Sequence, residues 1–284
     1  PMLPPEQGEP FEQLLSDVEE KILPGITHWQ HPNFNAYFNA NGSYASILAE
    51  LITAAIGAQC MIWETSPAAA ELEERVMEWL INMSGLSQNW DGVIQDTAST
   101  GTLVSILTAR EKITHFNINN RGFSNEKLRI YCSAQTHSSI DKSVKIAGIG
   151  LDNLVKIPVD DQMALLPHLL EEAIKSDLAL GKIPCCIITT LGTTGTTAMD
   201  PLEAIADIAI KYSVWHHVDA AYAGAAFVLP EYRHFLKGIE KADTYLFNPH
   251  KWMFTNFDCT AYFVKDKEAL IQTFEILPEY LKTN

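Results

Sequence analysis

The chain has 284 residues, enough for one large domain or two modest ones, and its 47% apolar and 19% charged content is that of a well-packed soluble protein. Its 20 basic and 35 acidic side chains give a formal charge of −15. That balance excludes duplex nucleic acid and anionic membrane surfaces as partners, since both reward clustered Lys and Arg.

Residues 1–10 are rich in Pro and Glu and read as an extended arm. Apolar residues at 11, 14, 15, 18, 22 and 23 predict a helix that stops at Pro24-Gly25. An aromatic, turn-rich stretch covers 29–44. Residues 46–57 are almost wholly apolar, as expected of a helix buried on most sides. Ser66-Pro67 opens the next helix, cap then proline, and it runs to Gly85. A further helix follows Ser99. Short apolar runs at 130–132, 185–190, 214–218, 244–247 and 261–264 predict strands, and a helix over 202–212 separates two of them. Strands buried on both faces and spaced by helices predict an α/β fold with a mostly parallel central sheet, whose ligands gather at the C-terminal strand ends.

The five cysteines show no Cys-x-x-Cys spacing, and the neighbours Cys185 and Cys186 suit buried thiols, which points to a reducing compartment. No apolar stretch reaches the roughly 18 residues that span a bilayer, and no signal-peptide pattern is present. The cytosol is therefore the expected location.

Four features fall at predicted strand ends or a helix start. Gln95-Asp96-Thr97-Ala98-Ser99-Thr100-Gly101 leads into a helix and is either a phosphate cradle or an ordinary Ser/Thr cap. Leu191-Gly192-Thr193-Thr194-Gly195-Thr196-Thr197 is a second phosphate-loop candidate or a bare turn; it lacks the Gly-Lys-Ser/Thr ending of a P-loop. In His216-His217-Val218-Asp219-Ala220-Ala221-Tyr222-Ala223-Gly224, Asp219 ends a strand, and the small residues after it leave room for a flat ring. A carboxylate there can keep a heterocyclic nitrogen protonated. The rival readings are a helix cap or a metal site, although His216 and His217 point to opposite strand faces and do not easily share one metal with Asp219. No metal is expected.

The fourth feature is Asn248-Pro249-His250-Lys251-Trp252. A lysine is ordinarily solvated, but this one is flanked by Phe247, Trp252, Met253 and Phe254, and desolvation makes a neutral amine available to an aldehyde. His137, just after the 130–132 strand, either stacks on a ring or is a structural histidine. Together these features supply a phosphate cradle, a ring-stacking imidazole, an acid for a ring nitrogen and an amine for an aldehyde. That is the binding inventory of pyridoxal 5'-phosphate.

On these motifs the chain resembles the group II pyridoxal-phosphate amino-acid decarboxylases, most closely the aromatic-L-amino-acid decarboxylase branch. The likeness runs from Phe11 onward and includes Thr27-His28-Trp29, Ala36-Tyr37-Phe38, Trp63 with Ser66-Pro67-Ala68, and Thr97-Ala98-Ser99. The resemblance implies a type I PLP-dependent transferase fold, with residues 1–44 a partial N-terminal arm and helix segment and 45–284 the large cofactor-binding domain. It implies that Lys251 forms the internal aldimine, Asp219 pairs with the pyridine nitrogen and His137 stacks on the ring. Thr97, Ala98, Ser99 and Asn248 are then phosphate ligands; Thr194 and Ala221 line the ring, and His250 sits beside the aldimine. Trp29, Tyr37, Phe38 and Ala40 resemble the substrate wall, with Met61 reaching the site from the neighbouring subunit of a homodimer.

The expected reaction is decarboxylation of an aromatic or imidazole-bearing L-amino acid to its amine. Asn39-Ala40 stands where the family has proline and a hydroxyl residue, and Asn33, Asn35, Gln59 and Met61 make the wall more polar than usual. Leu277-Pro278-Glu279-Tyr280-Leu281-Lys282 resembles the approach to the family's mobile loop, whose catalytic tyrosine, with the C-terminal domain beyond it, is not in this chain. Two alternatives stay open: an aldehyde synthase coupling decarboxylation to oxidative deamination, and a cofactor-binding fragment that works only with a separate C-terminal piece. His137 favours the decarboxylase over one aldehyde-forming branch that carries asparagine there.

Overall fold

The structure, a computed structural model, describes residues 3–60 and 62–276. Met61 and the loop approach at 277–282 lie outside the described residues. The chain divides into two compact units, Pro1–Asn39 and Ala40–Asn284.

In the first unit, α1 (Phe11–Asp17) continues through a wide π-turn over Val18–Ile22 and a tight turn over Leu23–Gly25, where Pro24 and Gly25 end it as predicted. Further along, Trp29, Phe34 and Tyr37 cluster, Trp29 lying 5.1 Å from Phe34 and 5.2 Å from Tyr37, which are 6.5 Å from each other.

The second unit opens with α2 (Tyr44–Ile56) and α3 (Pro67–Ser84), which end in left-handed Gly57 and Gly85. Strand β1 (Asp91–Gln95) follows, then α4 (Ala98–Ile113), α5 (Ile118–Arg121), β2 (Leu128–Ser133), α6 (Ser139–Ile146) and β3 (Leu154–Ile157). After these come α7 (Pro167–Ala179), β4 (Ile183–Thr190), α8 (Leu202–Tyr212), β5 (Trp215–Asp219), β6 (Thr244–Phe247), α9 (Pro249–Trp252), β7 (Thr260–Val264) and α10 (Lys267–Phe274). The sheet order is β1-β7-β6-β5-β4-β2-β3, parallel throughout except β7, which runs against both of its neighbours.

Alternation along the central strands sorts side chains to the two faces. Ile130, Cys132, Cys186 and Ile188 pack with Ile106 of α4 and Ile140 and Val144 of α6. Tyr131 and Ile187 face the other way, onto Leu170 and Ile174 of α7 and Ile205 of α8. On that second face Val218, Tyr245, Phe247 and Phe263 meet Met77 and Ile81 of α3.

Helix α2 departs from its expected burial. Ile47, Leu48, Leu51, Ile52 and Ile56 are 51–69% exposed, because the helix is tied to the body of the unit chiefly through its N-terminal end.

Because β7 is antiparallel, its first residue lies at the same sheet edge as the C-terminal ends of the other strands: Gln95 pairs with Thr260, Phe247 with Ala261, and Thr190 with Asp219. This edge carries the chemistry.

Candidate functional site

Asp219 closes β5 and is 5% exposed. Its Oδ1 accepts the Ala221 N–H at 3.0 Å, and the backbone beyond is pinned on both sides: Leu191 N–H donates to the Asp219 carbonyl and Asn248 N–H to that of Ala221. Burial raises the Asp219 pKa, opposed by the Ala221 N–H and by the charges of Lys251 and His137.

Lys251 lies in α9, a single turn begun by Pro249. Burial lowers its pKa and Asp219 pulls it back up. The Asp219 and Lys251 segments are joined by a parallel stack of Tyr222 on Trp252 at 4.8 Å, with Trp252 Nε1 donating to the Tyr222 carbonyl at 2.5 Å.

His137 follows β2 and is accessible from solvent yet partly desolvated, which lowers its pKa; Asp219 opposes that shift and Lys251 adds to it. Its Nδ1 accepts the Ser139 N–H at 3.2 Å, so the neutral ring carries its proton on Nε2. His250 is buried; its Nδ1 accepts the Cys259 N–H at 2.8 Å, and burial, with Lys251 beside it, lowers its pKa. Both imidazoles therefore favour the neutral form.

At the start of α4, Thr97 is the N-cap, its hydroxyl accepting the Thr100 N–H at 3.2 Å. The N–H groups of Ala98 and Ser99, in the first turn, have no carbonyl within the helix to bond. Thr260 gathers the rest of this corner. Its hydroxyl lies 2.9 Å from Asn248 Oδ1 and 3.3 Å from the Asp96 carbonyl, joining the β6–α9 turn to the β1–α4 turn. With Oδ1 so occupied, Asn248 keeps its amide N–H groups for another acceptor.

The structure thus brings Lys251, Asp219, His137, His250, Asn248, Ala221, Thr97, Ala98 and Ser99 to one edge of the sheet. Thr194 stands on the exposed part of the turn after β4, which the Leu191–Met199 bridge closes. Trp29 and Tyr37 pack together in the first unit, Phe38 immediately precedes that unit's last residue, Asn39, and Ala40 begins the second.

The neighbours of Asp219 serve the core. His216 and His217 are structural: His216 Nε2 lies 2.7 Å from the Thr189 hydroxyl, and His217 lies 3.1 Å from Thr102 and 2.9 Å from Thr244 through its two nitrogens. Gly224 is small for the core rather than for a ring, since a Cβ there would come within 2.2 Å of Phe247 Cβ. Sequence reasoning missed Thr260 and Asn41. Thr260 is 12 residues from Asn248 and Asn41 is 210 from Lys251, separations that leave no local pattern.

These residues fit pyridoxal phosphate by donor chemistry: first-turn N–H groups and a buried amide suit a dianionic phosphate, a buried carboxylate suits a protonated ring nitrogen, and a partly desolvated amine suits an aldehyde. Among curated proteins, tyrosine decarboxylase 2 of Narcissus pseudonarcissus is 44% identical over 98% of the chain and 57% of its own length. Phenylacetaldehyde synthase of Arabidopsis thaliana is 43% identical over 98% and 58%. The chain therefore spans under three fifths of the length of these relatives. Among solved structures, that of Oryza sativa TDC with PLP and tryptamine superposes with a TM-score of 0.95 at 37% identity, covering 99% of this chain and 59% of that one. The architecture is that of the type I PLP fold. The model of the pyridoxal-dependent decarboxylase conserved domain matches residues 1–284, and the chain belongs to that family.

Proposed function

We propose that the protein decarboxylates an aromatic or imidazole-bearing L-amino acid, releasing the amine and carbon dioxide, and that this chain supplies its cofactor-binding core. The convergence of Lys251, Asp219 and His137 at one sheet edge, where Asp219 and Lys251 shift each other's pKa and both act on His137, carries the reading. When bound, pyridoxal phosphate supplies an aldehyde carbon that links to amines and a protonated ring that accepts the electron pair left as carbon dioxide departs.

Lys251 holds the cofactor through that carbon, burial favouring its neutral, nucleophilic form. Asp219, fixed by the Ala221 N–H, holds the proton on the ring nitrogen. His137, with its proton on Nε2, would lie against the ring, Thr194 and Ala221 would line it, and His250 would stand beside Lys251. Thr97, Ala98, Ser99 and Asn248 bind the phosphate. The cluster of Phe34, Trp29 and Tyr37 offers aromatic surface of the kind that suits an aromatic or imidazole side chain.

A second reading, aldehyde formation with oxidative deamination, is favoured by the 43% identity to a phenylacetaldehyde synthase. Hydrogen peroxide and ammonia released in step with carbon dioxide would select it. The protein acts as a homodimer in this proposal, with the apolar face of α2 as the contact. Its five free thiols suit a reducing compartment such as the cytosol.

The test is the visible spectrum of the purified protein before and after borohydride, with peptide mapping. A yellow band that reduction removes, leaving a pyridoxyl adduct on Lys251, supports the proposal; a protein that stays colourless with added cofactor overturns it.

A further inference from the structure

Helix α9 is only four residues long, Pro249–Trp252, so it holds too few hydrogen bonds of its own to be stable. Its carbonyls need partners from elsewhere, and those of His250 and Lys251 find theirs on one residue. Asn41 N–H donates to the His250 carbonyl at 3.1 Å, and Asn41 Nδ2 donates to the Lys251 carbonyl at 2.9 Å. Asn41 thus grips two successive peptide units of the turn that presents the Lys251 amine.

The grip is not isolated. Two residues on, Ser43 caps α2, accepting the Ser46 N–H at 3.1 Å. Ser46 then makes a reciprocal pair with Asn256: its hydroxyl lies 2.9 Å from Asn256 Oδ1, and Asn256 Nδ2 donates to the Ser46 carbonyl at 3.1 Å. With the Ser43 hydroxyl donating to the Phe254 carbonyl at 3.5 Å, the start of α2 and the segment from Lys251 onward are laced together at three places, and of these only Asn41 touches the lysine's own backbone. Beyond it the chain needs support, since Phe254 sits at φ 59°, a conformation uncommon for a bulky residue.

We propose that Asn41 is a positioning residue for Lys251. It fixes the direction in which α9 delivers the side-chain amine toward Asp219, and it acts through the peptide carbonyls rather than by touching substrate or cofactor. The inference rests on the proposed role of Lys251. Losing the Nδ2 bond leaves the Lys251 carbonyl without that donor and lets the turn rock, so the amine meets the cofactor aldehyde in the right geometry less of the time. The backbone N–H bond to His250 survives any side-chain change, so the turn loosens rather than unfolds.

The test compares wild type with Asn41→Ala and with the near-isosteric Asn41→Asp, both of which remove the donor. Asn256→Ala is the control, cutting the neighbouring lacing without reaching Lys251. Three readouts are taken on the full chain: cofactor affinity by absorbance titration, the pH at which the lysine-linked cofactor changes colour, and the thermal midpoint without cofactor. Expected for both Asn41 variants are an affinity loss of about 5- to 10-fold, the consequence of one hydrogen bond, and a displaced colour-change pH. Asn256→Ala keeps the wild-type affinity and colour-change pH. Folded Asn41 variants with wild-type affinity and colour-change pH overturn the inference alone. Equal affinity losses in Asn256→Ala also overturn it, since general loosening of the loop then suffices. A wild-type chain that forms no borohydride-fixed adduct on Lys251 overturns the proposed function and this inference together.

Discussion

Thr260 holds Asn248 by its side-chain oxygen: the two side chains meet at 2.9 Å, both buried, at the corner where β1 and β6 end and β7 begins. The contact decides which way the Asn248 amide points. Thr260→Val keeps the shape but strands the Asn248 oxygen in a dry site, a loss of about 1–3 kcal/mol. The thermal midpoint should fall, and affinity for pyridoxal phosphate should drop about 10-fold as the amide turns. A folded Thr260→Val protein with unchanged affinity would remove Asn248 from the phosphate site.

Asp219 and Lys251 act on each other's pKa across the site, and changing either side chain should have separable consequences. Asp219→Asn keeps the acceptor for the Ala221 N–H but loses the charge. Without the charge the proton on the ring nitrogen is less well held, so turnover should fall about 100-fold or more, with weaker cofactor binding. Lys251→Ala should abolish turnover and the borohydride-fixed adduct while leaving far-UV circular dichroism unchanged. Decarboxylation at the parental rate by Lys251→Ala would defeat the mechanism.

Much of this arrangement is legible in the sequence because it is local. Asp219 and Asn248 follow apolar runs that form β5 and β6 within a residue or two of the expected limits, and the predicted helix over 202–212 is α8. The edge strands β1 and β3 are not legible. Asp91–Gln95 has a half-exposed pattern with a glycine, and Leu154–Ile157 is four residues with a lysine among them. Nor is the state of α2: a wholly apolar helix predicts burial but does not name what covers it. Asn41 and Thr260 were invisible for a related reason, since their roles exist only once distant segments meet.

The exposed face of α2 gives a direct test of self-association. Ile47, Leu48, Leu51, Ile52 and Ile56 recur at helical spacing and face solvent. Burying each such side chain contributes about 1.5–3 kcal/mol. The paired change Leu48→Lys with Leu51→Lys should shift the protein from dimer to monomer in light scattering at micromolar concentration, with its circular dichroism retained. A wild-type monomer, or a dimer indifferent to both lysines, would refute α2 as the contact.

Acid sensitivity follows from His216 and His217. Burial holds both at about 3 in the folded chain, against 6.5 ordinarily, and His216 Nδ1 has no hydrogen-bond partner among the described residues. Between about pH 6.5 and pH 3 the unfolded chain binds protons that the folded chain refuses, so stability rises with pH across that window and is lost as pH falls through it. Asp200 works in the other direction. Burial raises it from 3.8 to about 6, so the folded chain binds the extra proton there and acidification from 6 toward 3.8 favours folding. His137 and His250, held neutral, add to the loss, and the raised carboxyls of Asp219 and Asp243 oppose it. Four histidines against three aspartates leave a net loss, each group contributing up to about 1.4 kcal/mol per pH unit. Urea midpoints should therefore decline from pH 6.5 to pH 4.5 in wild type. His217→Gln, less stable at neutral pH for want of the bonds to Thr102 and Thr244, should show a shallower decline. An identical slope in the variant would mean that His217 is protonated in the folded chain.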